Sequence, residues 1–353
     1  MNYCILNGKK STLIKGLLIQ SLPPISKPLM RTQIDEIDGR DGDVVTKLGY
    51  SAYNKEMSIG LFGDYDVDEV IAFFDSEGEV IFSNEPDKFY KYEIIDQIDF
   101  ERLIRFKTAT VTFHVQPFKF SAVDDEFTIS KNKIRPRPFT QSKNGVTISV
   151  ESGVISVVGN ATVTTEFYIP INEMVLDGNY TLQADCDGSG ESACKIRVIE
   201  SVPTDADSFG GTEYQLTTSI EATADADKTF NYIWMRIAPS VAIDYDLYIQ
   251  MLDNGFNSFK LLNRGNTFAR PTFTIYGTGA VVLSINGSEV FSLNIDGYIT
   301  LNAQEMNAYK GDALMNRYVS GDFNNLRLRS GANVVSWTGT VTQITVENVS
   351  RWI

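Results

Sequence analysis

Apolar and polar positions alternate over several short spans in the first third of the chain. In the clearest span, Ala109, Val111 and Phe113 fall on one side and the threonines between them fall on the other. A period of two is typical of a β-strand with one buried face. The same pattern predicts strands at Leu17 to Leu22, Met57 to Leu61, Glu79 to Phe82 and Thr108 to Val115. This region is therefore predicted to form a sheet.

One amphipathic helix interrupts these strands. Asp66 precedes an acidic first turn, and Val67, Val70 and Phe74 recur at helical spacing. An aspartate in that position caps the free backbone amides, so a helix is predicted to begin after it. A second short helix is predicted from Asp99 to Arg105. The region is thus an α+β unit in which the sheet predominates.

Short alternating strands separated by turn residues fill the middle of the chain. About eight of them follow one another at roughly ten-residue spacing, with Ser-Gly and Gly-Asn turns and no helix signal between them. That pattern is typical of an antiparallel sandwich, and we expect a jelly roll.

The last part of the chain has too few strands to form a domain alone. Asn286 and Gly287 join two alternating runs, which predicts a type I′ hairpin. The segment Glu126 to Ser130, before the middle block, can supply a missing strand. We therefore expect the middle block to be an insertion that is entered through the basic segment 131–144 and left through Arg264 to Pro271.

The expected fold class is mainly β, in three parts. Residues 1–125 form an α+β N-terminal domain, residues 131–264 an inserted β-sandwich, and residues 126–130 with 265–353 a discontinuous β-sandwich. An aromatic content of 11% and 26 glycines agree with a sheet-rich chain.

The net charge of −14 is unevenly distributed over the chain. Residues 1–130 carry 14 basic and 22 acidic side chains, and residues 145–260 carry 5 and 17. Such a surface repels phosphate backbones, so we expect no specific nucleic-acid binding. No apolar run reaches the ~18 to 20 residues of a bilayer span, and no signal-peptide pattern opens the sequence. We expect folding in a cytoplasm without membrane insertion.

Two of the three cysteines flank a turn-like segment. Cys186 and Cys194 each fall on the apolar side of a predicted strand, so they are predicted to be cross-strand neighbours. They are either buried thiols or, after release from the cell, a disulfide. A zinc site is not expected, because there is no Cys-x-x-Cys pair and no nearby histidine.

Nothing in the sequence predicts catalysis or a bound cofactor. The single histidine, His114, lies on the polar side of a predicted strand. No nucleophile elbow, dinucleotide fingerprint or Walker loop is present. We therefore expect that the protein is not an enzyme.

Three pairs of carboxylates are spaced by two residues. They are Asp244 and Asp246, Asp225 and Asp227, and Asp205 and Asp207. In a β-protein this spacing marks a solvent-facing strand more often than a glycosidase pair. No metal site is assigned, and the last two pairs are the candidates should the jelly roll hold a cation.

The strongest candidate for ligand binding lies on one strand of the middle block. Ile233 and Met235 point to one side, whereas Tyr232, Trp234 and Arg236 point to the other. A sugar can stack its C–H groups on an aromatic ring and bond its hydroxyls to polar groups nearby. The predicted carbohydrate-binding residues are Trp234, Tyr232, Arg236, Gln183 and Asp185. The alternative is that a loop or another domain covers the aromatic face.

Several segments, taken in order, resemble the distal tail proteins of long-tailed bacteriophages that infect Gram-positive bacteria. The segments are Ile37 to Val45, Asp66 to Ile94, Ala109 to Phe120, Gly265 to Gly287 and Ser330 to Trp337. The regions that contain them, 1–130 and 265–353, cover about 60% of the chain.

The resemblance implies a structural protein of the virion tail tip. The N-terminal domain would form a homohexameric ring, and a C-terminal galectin-like sandwich would decorate it. In that family the ring joins the major tail tube protein to the tail-associated baseplate protein, and DNA passes through its lumen.

The middle block is similar to carbohydrate-binding jelly rolls that are inserted into longer members of this family. The likeness lies in residues Asn144 to Phe167 and Leu176 to Cys186. It implies binding of a host cell-wall saccharide during adsorption, without fixing any ligand residue. The alternative is a purely structural baseplate ring in which the insert contacts other proteins.

Overall fold

A computed structural model describes residues 2–39, 41–123, 126–199, 214–216 and 220–353, without the side chains of 173–179, 214–215 and 220–228. The described chain is mainly β, as predicted: three large sheets and one two-stranded ribbon accompany two short α-helices. Neither of these helices is long and apolar enough to cross a bilayer.

The N-terminal region contains nine strands and both helices in its described residues. The strands are β1 (Cys4–Leu6), β2 (Lys9–Lys10), β3 (Leu17–Ser21), β4 (Met30–Glu36), β5 (Asp43–Tyr50), β6 (Tyr53–Leu61), β7 (Glu77–Phe82), β8 (Lys88–Glu93) and β9 (Thr108–Ser121). The helices are α1 (Val67–Phe74) and α2 (Phe100–Phe106). An antiparallel sheet takes the strands in the order β2-β1-β7-β8-β9-β6-β3, while β4 and β5 pair only with each other.

Both predicted helices are present, and both are capped by aspartate. The Asp66 carboxylate accepts hydrogen bonds from the backbone amides of Asp68 and Glu69, at 2.9 and 3.4 Å. Asp99 accepts the Arg102 amide at 2.8 Å. These bonds satisfy amides that have no partner within the helix, which is why each helix begins where the sequence predicts.

The middle of the chain contains ten strands in its described residues. They are β10 (Phe127–Ser130), β11 (Phe139–Lys143), β12 (Val146–Glu151), β13 (Val154–Asn160), β14 (Thr165–Ser189), β15 (Cys194–Ile199), β16 (Tyr214–Gln215), β17 (Ile220–Ile237), β18 (Ala242–Asp253) and β19 (Ser258–Asn263). A sheet takes eight of them in the order β11-β12-β13-β18-β14-β17-β15-β16, around one hydrophobic core.

The long strand β14 changes partners along its length. Residues 165–182 pair with β17, whereas residues 180–189 pair with residues 244–253 of β18. Register shifts interrupt the β17 pairing between Pro170 and Met174 and between Leu176 and Gly178. Both ends of this 25-residue strand contribute side chains to the same core, and at about 3.3 Å per residue they lie far apart along the strand.

Seven strands follow, and all except the last complete an eight-stranded C-terminal sheet with β10 and β19. They are β20 (Thr272–Ile285), β21 (Ser288–Asn302), β22 (Asn307–Lys310), β23 (Ala313–Leu314), β24 (Val319–Gly321), β25 (Gly331–Glu347) and β26 (Arg351–Trp352). The predicted turn between β20 and β21 is present: Asn286 and Gly287 have φ angles of 53° and 81°, as a type I′ hairpin requires.

The segment before the middle block belongs to this C-terminal sheet. β10 pairs with β25, so that Phe127 lies opposite Val346, and β20 lies on the other side of β25. The Thr128 and Thr345 hydroxyls lie 2.9 Å apart across the pair. The sheet therefore joins residues from both sides of the middle block, as the insertion hypothesis requires.

Two boundaries differ from those predicted. β19, which composition placed in the insert, pairs with β25 of the C-terminal sheet, and the last strand of the middle sheet ends at Asp253. β26 pairs with β9, so the end of the chain joins the N-terminal sheet rather than the C-terminal one. Composition marks a change of charge along the chain, whereas strand pairing depends on residues far apart in sequence.

The two connections of the insert run side by side. The Lys133 amide donates to the Met251 carbonyl at 2.9 Å, and the Asp253 amide donates to the Lys131 carbonyl at 3.0 Å. The Lys133 ammonium also lies 3.4 Å from the Asp253 carboxylate. Part of the predicted basic edge thus serves to hold the two connections together.

Candidate functional site

The predicted aromatic residue Trp234 is not open to solvent. It lies on β17 between Tyr168 of β14 and Arg197 of β15. Its side chain points away from the core, as alternation predicts, but the residue is only 3% exposed. The expectation of an accessible Tyr-Trp-Arg stripe is therefore wrong at its central residue, because neighbouring strands bring covering side chains that alternation does not reveal.

Two arginines cover the Trp234 ring. The guanidinium carbon of Arg197 lies 4.4 Å from the ring centroid, and that of Arg236 lies 5.5 Å from it. A guanidinium over an indole face is attracted by the ring quadrupole. These contacts occupy the surface on which a sugar would stack.

Arg236 also lines a small cavity next to this cluster. The cavity has a volume of about 310 Å³, and Lys195, Thr164 and Ser192 contribute to its wall. Tyr232 lies two residues from Trp234 on the same strand and is half-buried. The described charged side chains on this side are Lys195, Arg197, Arg236 and Glu166, which is the cross-strand partner of Arg236. Cations therefore outnumber anions here, in contrast to the net negative charge of the block as a whole.

The other two predicted residues lie elsewhere. Gln183 and Asp185 are on the part of β14 that pairs with β18, opposite Gln250 and Tyr248. Gln183 lies 15 residues along β14 from Tyr168, the cross-strand partner of Trp234, so the structure does not bring the five predicted residues together.

Gln183 and Asp185 instead border an exposed tyrosine that sequence reasoning missed. Tyr248 is 47% exposed on the outward side of β18, directly opposite Asp185. Asp246 and Gln250 precede and follow it on that side of the strand. Alternation over Asp244 to Gln250 was the signal that could have found it.

The two middle-block cysteines are not cross-strand partners, contrary to prediction. Cys186 pairs with Leu247 of β18, and Cys194 pairs with Ile237 of β17. Both are free thiols. Burial raises the pKa of each to about 11, with a contribution from Glu191 in both cases. Such thiols are unreactive near neutral pH.

The structure describes the side chains of one of the three carboxylate pairs. Asp244 and Asp246 lie on the outward face of β18, and Asp246 accepts a hydrogen bond from the Ser156 hydroxyl. The pair Asp205 and Asp207 lies outside the described residues, and the side chains of Asp225 and Asp227 are likewise not described. In the described part of the chain, no three His, Cys, Asp or Glu side chains are grouped to hold a metal.

His114 makes a surface contact rather than a catalytic one. Its Nδ1 lies 2.9 Å from Asn54 Oδ1 on the neighbouring strand β6. Asn54 and His114 are direct cross-strand partners, so this is a contact on the polar face of the strand, as alternation predicts.

The β4–β5 hairpin is a second candidate site, because it projects apolar residues into solvent. Ile34 and Val45 lie directly opposite each other and are 59% and 54% exposed. Leu29, Ile37 and Leu48 are also exposed. A two-stranded ribbon is marginal on its own in water, so such a surface indicates a contact with another molecule.

Three side chains fix the root of this hairpin to the N-terminal sheet. Asn84 Nδ2 donates to the Pro23 carbonyl at 2.9 Å, and Lys55 Nζ donates to the Pro24 carbonyl at 2.7 Å. The Tyr53 hydroxyl donates to the Ser26 carbonyl at 3.4 Å. The direction of the hairpin is thereby set by the sheet.

A buried ionic cluster supports this anchorage. Lys55, Lys119 and Glu85 are all buried, and Glu85 accepts from Lys119 Nζ at 2.8 Å and from the Tyr90 hydroxyl at 2.6 Å. Burial lowers the pKa of Lys55 to about 8, although Glu85 opposes the shift. Burial acts to raise the pKa of Glu85, but the hydrogen bonds from Lys119 and Tyr90 outweigh it and hold that pKa below its usual range.

Neither a protein-family model nor a curated protein matches the sequence. Among solved structures, the chain is similar to the Dit protein of SPP1, described as a paradigm of the hub adsorption apparatus in phages that infect Gram-positive bacteria. The two chains share 12% identity over 100% of each, with a TM-score of 0.46. The chain is also similar to the phage P2 baseplate in its activated conformation with calcium, at 10% identity over 100% of this chain and 98% of that one, with a TM-score of 0.31.

Proposed function

We propose that the protein is a phage distal tail protein, a homohexameric hub at the virion tail tip. In this proposal it joins the major tail tube protein to the tail-associated baseplate protein, and its insert binds a host cell-wall saccharide during adsorption. The ordered sequence segments that resemble this family support the proposal. They fall in the N-terminal region and in the C-terminal sheet, outside the eight-stranded middle sheet.

The β4–β5 hairpin is the observation that carries the proposal of a ring. It extends apolar side chains such as Ile34 and Val45 away from the N-terminal sheet, and polar contacts hold its root. We assign its occupant as a second copy of this chain. When one surface of a subunit binds a different surface of the next, the contacts close into a ring if the rotation allows it.

The saccharide-binding part of the proposal is supported by the separate core of the insert. Its sheet and hydrophobic cluster are its own, so the module can present a surface without altering the proposed ring. Six identical weak sites on one hub would act together, and multivalency can raise overall binding by about 10² to 10⁴. We therefore expect weak binding per site and strong adhesion per virion. No catalytic step is part of the proposal.

A purely structural ring is the second candidate, and the burial of Trp234 favours it. If the predicted aromatic residue is engaged by Arg197 and Arg236, the insert lacks the sugar platform predicted on that face. The insert would then contact other baseplate proteins.

Two experiments on the full chain test the two halves of the proposal. Negative-stain images of the purified protein should show six-fold rings, and discrete single-subunit particles at high concentration would contradict the hub. Purified Gram-positive cell walls should retain the protein in a sedimentation assay. If the protein forms rings but sediments with none of the cell walls, the purely structural candidate is favoured.

A further inference from the structure

The outward face of the β13, β18 and β14 strands carries an aromatic residue within a polar surround. Tyr248 stands near the middle of β18, and Asp185 lies directly opposite it on β14. In an antiparallel pair, directly opposite side chains are about 5 Å apart and diagonal ones about 7 to 8 Å. Gln183 and Asp187 are the diagonal neighbours of Tyr248. Donors and acceptors therefore surround the ring at distances that suit a single bound sugar.

The ring of Tyr248 is free to stack, unlike that of Trp234. Tyr248 is 47% exposed, whereas Trp234 is 3% exposed beneath two guanidinium groups. Aromatic rings offer a flat apolar surface to the C–H face of a sugar, and their neighbours decide which hydroxyls are bound.

The polar groups around Tyr248 are held in place by the sheet. The cross-strand pair Gln183 and Gln250 lies two residues along the strands from the pair Asp185 and Tyr248. The pair Asp187 and Asp246 lies two residues away in the other direction. Asp246 is further fixed by the Ser156 hydroxyl of β13. Amides donate and accept hydrogen bonds and carboxylates accept them, so together they match a set of sugar hydroxyls.

The charge of this face determines which class of saccharide it can bind. Among the described carboxylates and basic side chains on this face, all are acidic: Asp185, Asp187, Asp244 and Asp246. Anionic polymers such as phosphodiester-linked wall polymers are repelled by such a face within the Debye length of about 8 Å at physiological ionic strength. Neutral and amine-bearing saccharides are not.

We propose that the face centred on Tyr248, with Asp185, Asp246, Gln183 and Gln250, binds a neutral or amine-bearing saccharide. This inference rests on the proposed function, because it names the site and the ligand class through which the insert would adhere. It moves the binding site from the Trp234 cluster to the part of the sheet where β14 pairs with β18. It keeps Gln183 and Asp185 as ligand-contacting residues.

The test uses a panel of immobilised neutral, amine-bearing and phosphate-bearing bacterial saccharides as probes. Wild-type full-length protein is compared with Tyr248→Ala, Tyr248→Phe and Arg236→Ala, after thermal melts establish that each variant is folded. We expect binding to neutral or amine-bearing members. We also expect a loss of about tenfold or more in Tyr248→Ala and retention in Tyr248→Phe and Arg236→Ala.

The outcomes separate this inference from the proposed function. Binding that is lost in Arg236→Ala and kept in Tyr248→Ala would overturn the site while leaving a saccharide-binding insert. A preference for the phosphate-bearing probes would overturn the ligand class. Failure of the wild-type protein to bind any member of the panel would overturn both the inference and the adhesive half of the proposed function.

Discussion

Glu85 and Lys119 form a buried ion pair in the N-terminal sheet, with 2.8 Å between the carboxylate and the ammonium group. A second buried lysine, Lys55, lies beside them and donates to the root of the β4–β5 hairpin. The cluster therefore contains two cations and one anion that are largely removed from water. Such a group is stable only while its anion is present, because an unpaired buried charge costs several kcal/mol.

Glu85→Gln removes that anion and leaves two buried cations. We expect a loss of about 3 to 5 kcal/mol in the free energy of unfolding, measured by denaturant titration. Glu101→Gln is the matched control, because its ion pair with Arg105 is exposed to solvent and should be worth less than about 1 kcal/mol. Equal effects of the two substitutions would contradict the buried cluster.

Lys55 should make stability rise with pH in the mildly alkaline range. Its pKa is lowered to about 8 in the folded protein, so between that value and the ordinary lysine pKa the unfolded chain binds more protons. Stability then increases as pH rises, by about 2 kcal/mol between roughly pH 7.5 and 9.5. Lys55→Met should lack this gain. Parallel pH profiles of the two proteins would show that Lys55 titrates normally.

Gly265 should tolerate no side chain. A Cβ at this position would lie 1.8 Å from the Arg351 carbonyl oxygen, at the start of the β26 strand that joins the N-terminal sheet. Gly265→Ala must displace backbone, and we expect a loss of about 3 kcal/mol by thermal or denaturant melts. Gly255→Ala is the control, because its nearest neighbour is Asp253 Oδ1 at 3.4 Å. A stable Gly265→Ala protein would contradict the close approach of these segments.

The three cysteines should react slowly in the folded protein. Burial raises the pKa of Cys4 to about 12 and those of Cys186 and Cys194 to about 11, so little thiolate exists near neutral pH. A thiol reagent at pH 8 should label the native protein slowly and the denatured protein at all three sites. Two unreactive cysteines after denaturation without reductant would instead reveal a disulfide between them.

Local features of the fold could be predicted because nearby residues determine them. Asp66 and Asp99 each cap a helix, and the positive φ angles of Asn286 and Gly287 are ones that asparagine tolerates and glycine adopts freely because it has no Cβ. The need for a strand from outside the C-terminal segment was also visible, since too few strands remained there. β10 supplies that strand.

The candidate site could be predicted only in part. Strand alternation predicts which way a side chain points, but not whether side chains of neighbouring strands cover it. It placed Trp234 on the outward side of β17, but Arg197 comes from another strand and lies over the ring. Gln183 and Trp234 both point outward, yet Gln183 lies 15 residues along β14 from Tyr168, the cross-strand partner of Trp234. The buried cluster of Lys55, Glu85 and Lys119 joins residues far apart in sequence, so no local sequence pattern predicts it. The jelly-roll and galectin-like assignments stay predictions.

The mass of the purified full-length protein tests the central claim most directly. Native mass spectrometry should give an assembly about six times the 39.4 kDa chain. Replacing Ile34 and Val45 of the hairpin by serine should reduce it to the single-chain mass without lowering the melting temperature of the subunit. The same change at the exposed Leu314 of the C-terminal sheet should leave the assembly intact. A single-chain mass for the wild-type protein at high concentration would contradict the hub.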